Sequence, residues 1–259
     1  AYRGTRNQLA FFTLAVLYEQ LGLTVEADYW LKMLDRHHPD PLGRMIRRAY
    51  VSVLRGDLET LQDMAAKIAA TGVTASPRLP PEIRQRLGAL FTAAGRAEEG
   101  ARLLETALRV DEPVGAGAAS HELAEMTYVL AYAYQQLGEA EKADAMLERG
   151  HEIVSLLRSD DLYADSPTEL ELVVYRHILS GDLASAAVAL RKALDAGWTN
   201  YYWFYNNPTL GSAARSPELA PLFDQALQRV EEQRRIVEER DRSDNFKERI
   251  ALLMRDSDP

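Results

Sequence analysis

The chain has 259 residues, a formal net charge of −9, 47% hydrophobic and 27% charged residues, and no cysteine. That composition belongs to a folded chain long enough to bury a sizeable core, and it excludes disulfides, thiolate nucleophiles and cysteine-ligated zinc. The acidic balance opposes phosphate backbones, so nucleic acid is not an expected partner. The arginines at 44, 47, 48 and 55 are spread round a helix rather than gathered on one face.

The opening AYRGTRNQLAFFTLAVLYEQLG sets Arg3 and Arg6 before an apolar run from Leu9 to Leu17, as a signal peptide does. No small-x-small cleavage site follows, and Glu19 and Gln20 arrive at once. The absence of cysteine fits the cytoplasm, and a start without Met is expected of a piece of a larger protein. No stretch approaches the ~18 uninterrupted apolar residues of a membrane helix, so no membrane partner is expected.

The same run begins a helical phrase that turns at Gly22 and recurs at Gly56, Gly95, Gly138 and Gly181. The glycines are 34, 39, 43 and 43 residues apart. Each has a helical pattern on both sides, which predicts antiparallel helix pairs. Seven residues before the glycines stand Ala15, Ala49, Gly88, Ala131 and, as an exception, Val174. Five after them stand Ala27, Gly100, Ala143 and Ala186, with Leu61 the exception. Small residues at such positions let two helices approach closely. Bulky Tyr18, Phe91 and Tyr134 lie four before the turn, and Leu31, Leu104, Leu147 and Leu190 nine after it.

This pattern resembles the tetratricopeptide repeat family over about Leu9 to Ala196. The resemblance implies an all-α, right-handed solenoid of about five helix pairs. The second unit departs from the family, with Arg48, Ser52 and Leu61 where it prefers Leu, an aromatic and Ala. The connectors ASPRLPPE (75–82), DEPVGAGAAS (111–120) and RSDDLYADSP (158–167) fall between units. Asp40-Pro41, Ser166-Pro167 and Ser216-Pro217 read as N-caps followed by proline, and Glu169 completes a capping box with Ser166.

The family generally presents the first helix of each pair to a concave groove. On that resemblance the groove would carry Tyr50, Gln85, Tyr128, Tyr132, Gln135, Gln136, Glu171 and Tyr175. Tyr with Gln and Glu suits an extended peptide, because phenols offer area at low entropic cost and amides pair with its backbone. The alternative is that these tyrosines pack against neighbouring helices. The inner positions carry no basic residue, so a peptide carboxylate is not the expected ligand.

No catalytic, cofactor or metal motif completes. His121-Glu122 and His151-Glu152 each begin an HExxH zinc motif, but Glu125 and Ser155 occupy the last position. GAGAAS (115–120) lacks the third glycine of a dinucleotide loop and follows no strand. An enzyme is therefore not expected.

The aromatic segment GWTNYYWFYNNP, residues 197–208, begins where a sixth unit would. One helical register puts Trp198, Tyr201, Tyr202 and Tyr205 on a buried stripe and points Trp203 and Phe204 away. Another makes Thr199 an N-cap with Trp198 stapled onto Trp203. Both read the segment as a cap for the end of the array. A long helix then runs from about Pro217, amphipathic to Val230 and charged nearly all round beyond Glu231, with Glu231–Arg235 and Glu238–Arg242 as supporting pairs. Phe246, Ile250, Leu253 and Met254 form a last apolar stripe that offers a surface for self-association.

The array (1–196) and the cap with its helix (197–259) are expected to make one domain. The ending is similar to that of tetratricopeptide regions in bacterial multidomain regulators of the adenylate cyclase and winged-helix types. That likeness implies an interaction or scaffold module that binds a protein, a peptide or other domains of its parent. The rival expectation is a small-ligand sensor with a pocket among Tyr128, Tyr132 and Tyr175.

Overall fold

Gly22, Gly56, Gly95, Gly138 and Gly181 all adopt the left-handed conformation, with φ between 69° and 79°. That geometry costs glycine little and lets each end one helix and start the next within two or three residues. At two of these turns the next residue, Asp57 or Asp182, caps the following helix by accepting from the backbone N–H three residues on. The structure is a computed structural model that describes residues 2–108, 119–158 and 166–245 and the single positions 248 and 252.

Five helix pairs result: α1 (Tyr2–Gln20) with α2 (Thr24–His37), α3 (Pro41–Arg55) with α4 (Leu58–Ala70), α5 (Pro81–Ala93) with α6 (Ala97–Leu108), α7 (His121–Leu137) with α8 (Ala140–Arg158), and α9 (Pro167–Leu179) with α10 (Leu183–Asp195). A short α11 (Tyr201–Asn206), a single turn α12 (Gly211–Ala214) and a long α13 (Ala220–Asp244) follow. The described residues contain no strand, and no helix among them is long and apolar enough to cross a membrane. The fold is an all-α solenoid of stacked helix pairs.

All ten positions seven before and five after the glycines are buried, the exceptions Leu61 and Val174 included. Small residues are strictly needed where backbones nearly touch. A Cβ on Gly100 would lie 2.2 Å from Thr92 Oγ1 and 2.9 Å from the Gly88 carbonyl oxygen. In the degenerate second unit, Ser52 is buried but its hydroxyl donates to the Ala49 carbonyl at 2.7 Å, so the polar group is satisfied.

The odd-numbered helices α1, α3, α5, α7 and α9 pack on one another in sequence, whereas α4, α6 and α8 each lean on the odd helix that follows. The odd helices therefore form the inner layer of the curve. Arg44 and Arg47 pair with Asp35, while Arg55 binds Glu19 and Asp28, so three of the four clustered arginines are neutralised within the first two units.

The capping expectations hold in part. Asp40 and Ser166 both precede proline-started helices, but Asp40 makes no side-chain cap, whereas Ser166 Oγ accepts from Glu169 N at 3.2 Å while Glu169 Oε2 makes no return bond. Ser216 does not cap α13, which starts at Ala220; it accepts from Leu219 N within a turn. On α13, Arg235 pairs with Glu232 rather than Glu231, while Glu238 meets both Arg234 and Arg242. Most of connectors 111–120 and 158–167, and the stripe of Phe246, Ile250, Leu253 and Met254, lie outside the described residues.

The close α5–α6 crossing gives a direct check. Gly100→Ala must push apart two backbones and should cost ~1–3 kcal/mol of stability. Urea unfolding of the variant measures this, and an unchanged midpoint would contradict the packing described.

Candidate functional site

The inner layer is occupied by the chain's own C-terminal segment. After α10, Gly197 at φ 95° turns the chain, and Trp198 is buried with its ring edge on Phe204 at 5.3 Å. Phe204 is fully buried and meets Tyr175 edge-on at 5.9 Å. Trp203 reaches the second unit, where it stacks on Tyr50 at 5.2 Å with the rings 23° from parallel. Asn206 Nδ2 donates to the Leu54 carbonyl at 2.6 Å, and Tyr132 donates its hydroxyl to the Pro208 carbonyl at 3.3 Å. Tyr202 packs under the first turn, close enough that a Cβ on Gly22 would lie 2.6 Å from its hydroxyl.

The segment is thus core, as expected, but its register differs. The helix starts at Tyr201 behind Asn200, not at Trp198, because the left-handed Gly197 and the following turn use up the preceding residues. Tyr201 and Phe204 are the buried pair, and Tyr202, Trp203 and Tyr205 are half-buried. Neither the Trp198–Tyr205 stripe nor a Thr199 cap forms, and Phe204 points inward rather than away.

α13 completes the closure. Arg229 donates to the Leu194 carbonyl at the end of α10, and eight residues later Val237 packs against the first unit's core. Tyr18 of α1 donates to Asp241 Oδ2 at 2.6 Å. A polar and apolar seam lined by Leu14, Leu17, Leu21, Gln233 and Val237 runs between the two helices. The last part of the chain therefore touches both the first and the fifth units.

The expected groove residues divide accordingly. Tyr128 and Tyr175 are buried, 0% and 1% exposed, and stack on each other at 5.9 Å; they are core rather than groove lining. Tyr128 lies against α8, where a Cβ on Gly150 would come within 2.3 Å of its ring. Tyr50 and Tyr132 are half-buried beneath the 198–209 segment, and Gln85 is half-buried on α5. Gln135 and Gln136 are exposed, and Gln135 Nε2 donates to the Leu179 carbonyl at 2.9 Å. Glu171 accepts from Trp198 Nε1 at 2.7 Å and from Asn200 Nδ2 at 3.1 Å. Around Tyr50, Tyr132 and Glu171 the inner face is occupied by the chain's own residues 198–209.

What the inner face retains is a pair of carboxylates. Glu171 on α9 has only neutral donors, and burial pushes its pKa up to about 7 although both hydrogen bonds act to lower it. Glu125 on α7 is pushed up to about 8, by burial first and then by the charges of Glu171 and Glu122. Both charges also act, after burial, to push the Tyr50 and Tyr175 hydroxyls up. Tyr175 keeps its hydroxyl beside Thr209, without a hydrogen bond of good geometry. Glu125 was read above only as the failed last position of a zinc motif. Its place three residues before Tyr128 and seven before Tyr132, on their face of the helix, was the signal available. The described residues hold no group of three or more His, Cys, Asp or Glu suited to a metal ion.

These carboxyls can hold protons near neutral pH. No protein-family model matches the chain, and no curated protein matches it. Among solved structures, the crystal structure of BtubC (BKLC) from P. vanneervenii is similar at 15% identity, covering 91% of this chain and 92% of that one, with a TM-score of 0.38. A likeness that low carries no argument about function.

Two expectations follow. Trp198→Ala should cost ~3–5 kcal/mol, and Trp203→Ala, half-buried, ~1–3 kcal/mol, while hydrogen exchange shows α11 released from α3. Glu125 binds a proton in the folded chain at pH values where the unfolded carboxyl, near 4.5, has lost it. Its contribution to stability is full at low pH and declines as pH rises from about 4.5 to about 8. Glu125→Gln should flatten that decline between pH 5 and 8 in urea titrations; an equal fall in both proteins would contradict the assignment.

Proposed function

We propose that this chain is the small-ligand-sensing part of a larger cytoplasmic regulatory protein, built on a tetratricopeptide-like solenoid, and that it binds rather than transforms its ligand. The observation that carries this reading is the occupation of the inner face by residues 198–209. Trp203 on Tyr50, Phe204 on Tyr175 and Pro208 on Tyr132 fill the space an extended peptide would use. What stays polar on the inner helices is small: half-buried Glu125, half-buried Glu171 held by Trp198 and Asn200, and the buried Tyr175 hydroxyl. A buried hydroxyl short of a partner, as that of Tyr175 is, is characteristic of a site completed by a ligand.

The protein-docking reading keeps one specific support. Leu9, Leu17 and Val25 of the first helix pair are 69%, 50% and 74% exposed, an apolar edge suited to a partner protein or a domain of the same parent. Leu17 also lines the seam between α1 and α13, so this edge borders the closure of the array.

A thermal-shift screen of the chain against small metabolites of positive, neutral and negative charge tests the sensor reading. A ligand at one hundred times its Kd should stabilise the fold by ~2.7 kcal/mol. The shift should vanish in Tyr50→Ala and Glu171→Gln. A screen with no hit, or hits indifferent to both substitutions, would leave the docking surface as the functional element.

A further inference from the structure

Independently of the inner face, we infer that a cleft between the first two helix pairs binds phosphate, free or as the ester of a small molecule, through Lys32, Arg44, Arg47 and Arg48. The cleft has a volume of about 320 Å³ and is walled by α2 from Asp28 to Asp35, by α3 from Arg44 to Arg55, and by Asp57 and Thr60 at the start of α4. It opens where α2, unlike α4, α6 and α8, makes no extended close approach to the odd helix that follows, and ion pairs bridge the gap instead. Against the expectation that they spread round a helix, Arg44, Arg47, Arg48 and Arg55 all line this cleft, at the i, i+3, i+4 spacing of a single helix face shared with Val51 and Ser52. Ser52 is one of the second unit's departures from the repeat, small where Tyr18, Phe91 and Tyr134 stand in other units, and no aromatic ring lines the cleft.

Charge is distributed unevenly along the cleft. Arg55 meets two carboxylates, Glu19 and Asp28, whereas Arg44 and Arg47 share one, Asp35, at 3.1 and 2.9 Å. Lys32, about one turn from Asp35 on α2, and Arg48, one turn from Arg44 on α3, are exposed and make no ion pair among the described residues. At this end four cations therefore stand against a single acid, although the chain as a whole carries −9. Asp35 takes Nε of Arg44 and Nη2 of Arg47, which fixes both guanidiniums and leaves each with further N–H donors. A phosphate monoester carries a charge of about −1.5 to −2 at neutral pH and offers three acceptor oxygens, so it matches the excess of charge and donors better than one carboxylate does. Half-buried Leu31 and buried Val51 supply apolar surface for the carbon part of an ester. The volume is that of a small-molecule site, and the acidic chain as a whole disfavours nucleic acid and anionic membranes.

Calorimetry of the chain at physiological ionic strength with glycerol 3-phosphate and with inorganic phosphate, with glycerol and malonate as controls, tests the inference. At least one of the two phosphates should bind saturably at one site, and glycerol should not bind. Tighter binding of glycerol 3-phosphate identifies an ester as the source of the group, and equal or tighter binding of inorganic phosphate identifies the free anion. Lys32→Gln and Arg48→Gln should each weaken the bound phosphate about fivefold or more. Both side chains are exposed and unpaired, so the melting temperatures of these variants should hold. Arg191→Gln, exposed on α10, controls for net charge and should leave the affinity unchanged. Absence of phosphate binding overturns the inference, as does binding that neither cleft substitution weakens or that Arg191→Gln weakens equally. Malonate bound as tightly, with the same dependence on Lys32 and Arg48, overturns the assignment to phosphate. Loss of phosphate binding in Glu171→Gln would place the ligand on the inner face and overturn the cleft, whereas failure at the cleft alone leaves the inner-face reading to its own screen.

Discussion

The stack of Trp203 on Tyr50 joins parts of the chain that an open solenoid keeps apart. In a simple repeat array each unit touches only its neighbours, so stability is a sum of local terms and the ends fray first. Here the segment that leaves the fifth pair returns across the inner layer to the second, and Asn206 repeats the link by donating to the Leu54 carbonyl, 152 residues away. Tyr18 and Asp241 make a third link across 223 residues. These contacts close the curve. They also raise the sequence separation of what must meet in folding, which slows folding relative to an open array.

Closure changes what the inner face can be. An open concave surface offers length, and length suits a peptide. A surface crossed by α11 and the chain through Pro208 has lost that length, and charges beneath the crossing segment are less screened than on an open face. The pairing of Glu171 with Trp198 and Asn200 shows how the two features depend on each other. The residues that fill the groove are also those that hold the carboxylate in position, so removing the segment to expose the groove would dismantle the site.

Much of the fold was legible because its determinants are local. A glycine in the left-handed conformation, small residues at fixed distances on either side and a bulky residue a turn away are set by the geometry of one helix pair. They remain readable even in the second unit, where Ser52 and Leu61 depart from the pattern. The Gly-Asp-Leu turns at 56–58 and 181–183 carried a further signal, a left-handed residue followed by a side-chain cap, which spacing alone did not use. The site was less legible because it depends on contacts between distant units. The resemblance grouped Tyr50, Tyr132, Tyr175 and Glu171, but nothing local to their helices says that residues 198–209 will pack on them. The aromatic segment was legible as core and illegible in register, since the turn at Gly197 decides where α11 begins. Glu125 was overlooked because an isolated acid on a helix is ordinarily solvated, and only the approach of Glu171 makes it unusual.

The raised carboxylates bear on how such a chain could respond. Holding Glu125 and Glu171 together is a liability to the unliganded fold, and the liability grows as pH rises and both ionise. A proton that neutralises either carboxylate relieves it, so protonation and stability are coupled. The relief is not confined to one unit. Glu125 and Glu171 sit on α7 and α9, Tyr50 on α3, and Trp198 and Trp203 on the segment that leads into α13, which in turn reaches α1 through Asp241. Their neutralisation would act on the closure of the whole array rather than on a single helix pair. In an open solenoid the same two acids, with the 198–209 segment elsewhere, would face water, ionise separately and couple nothing.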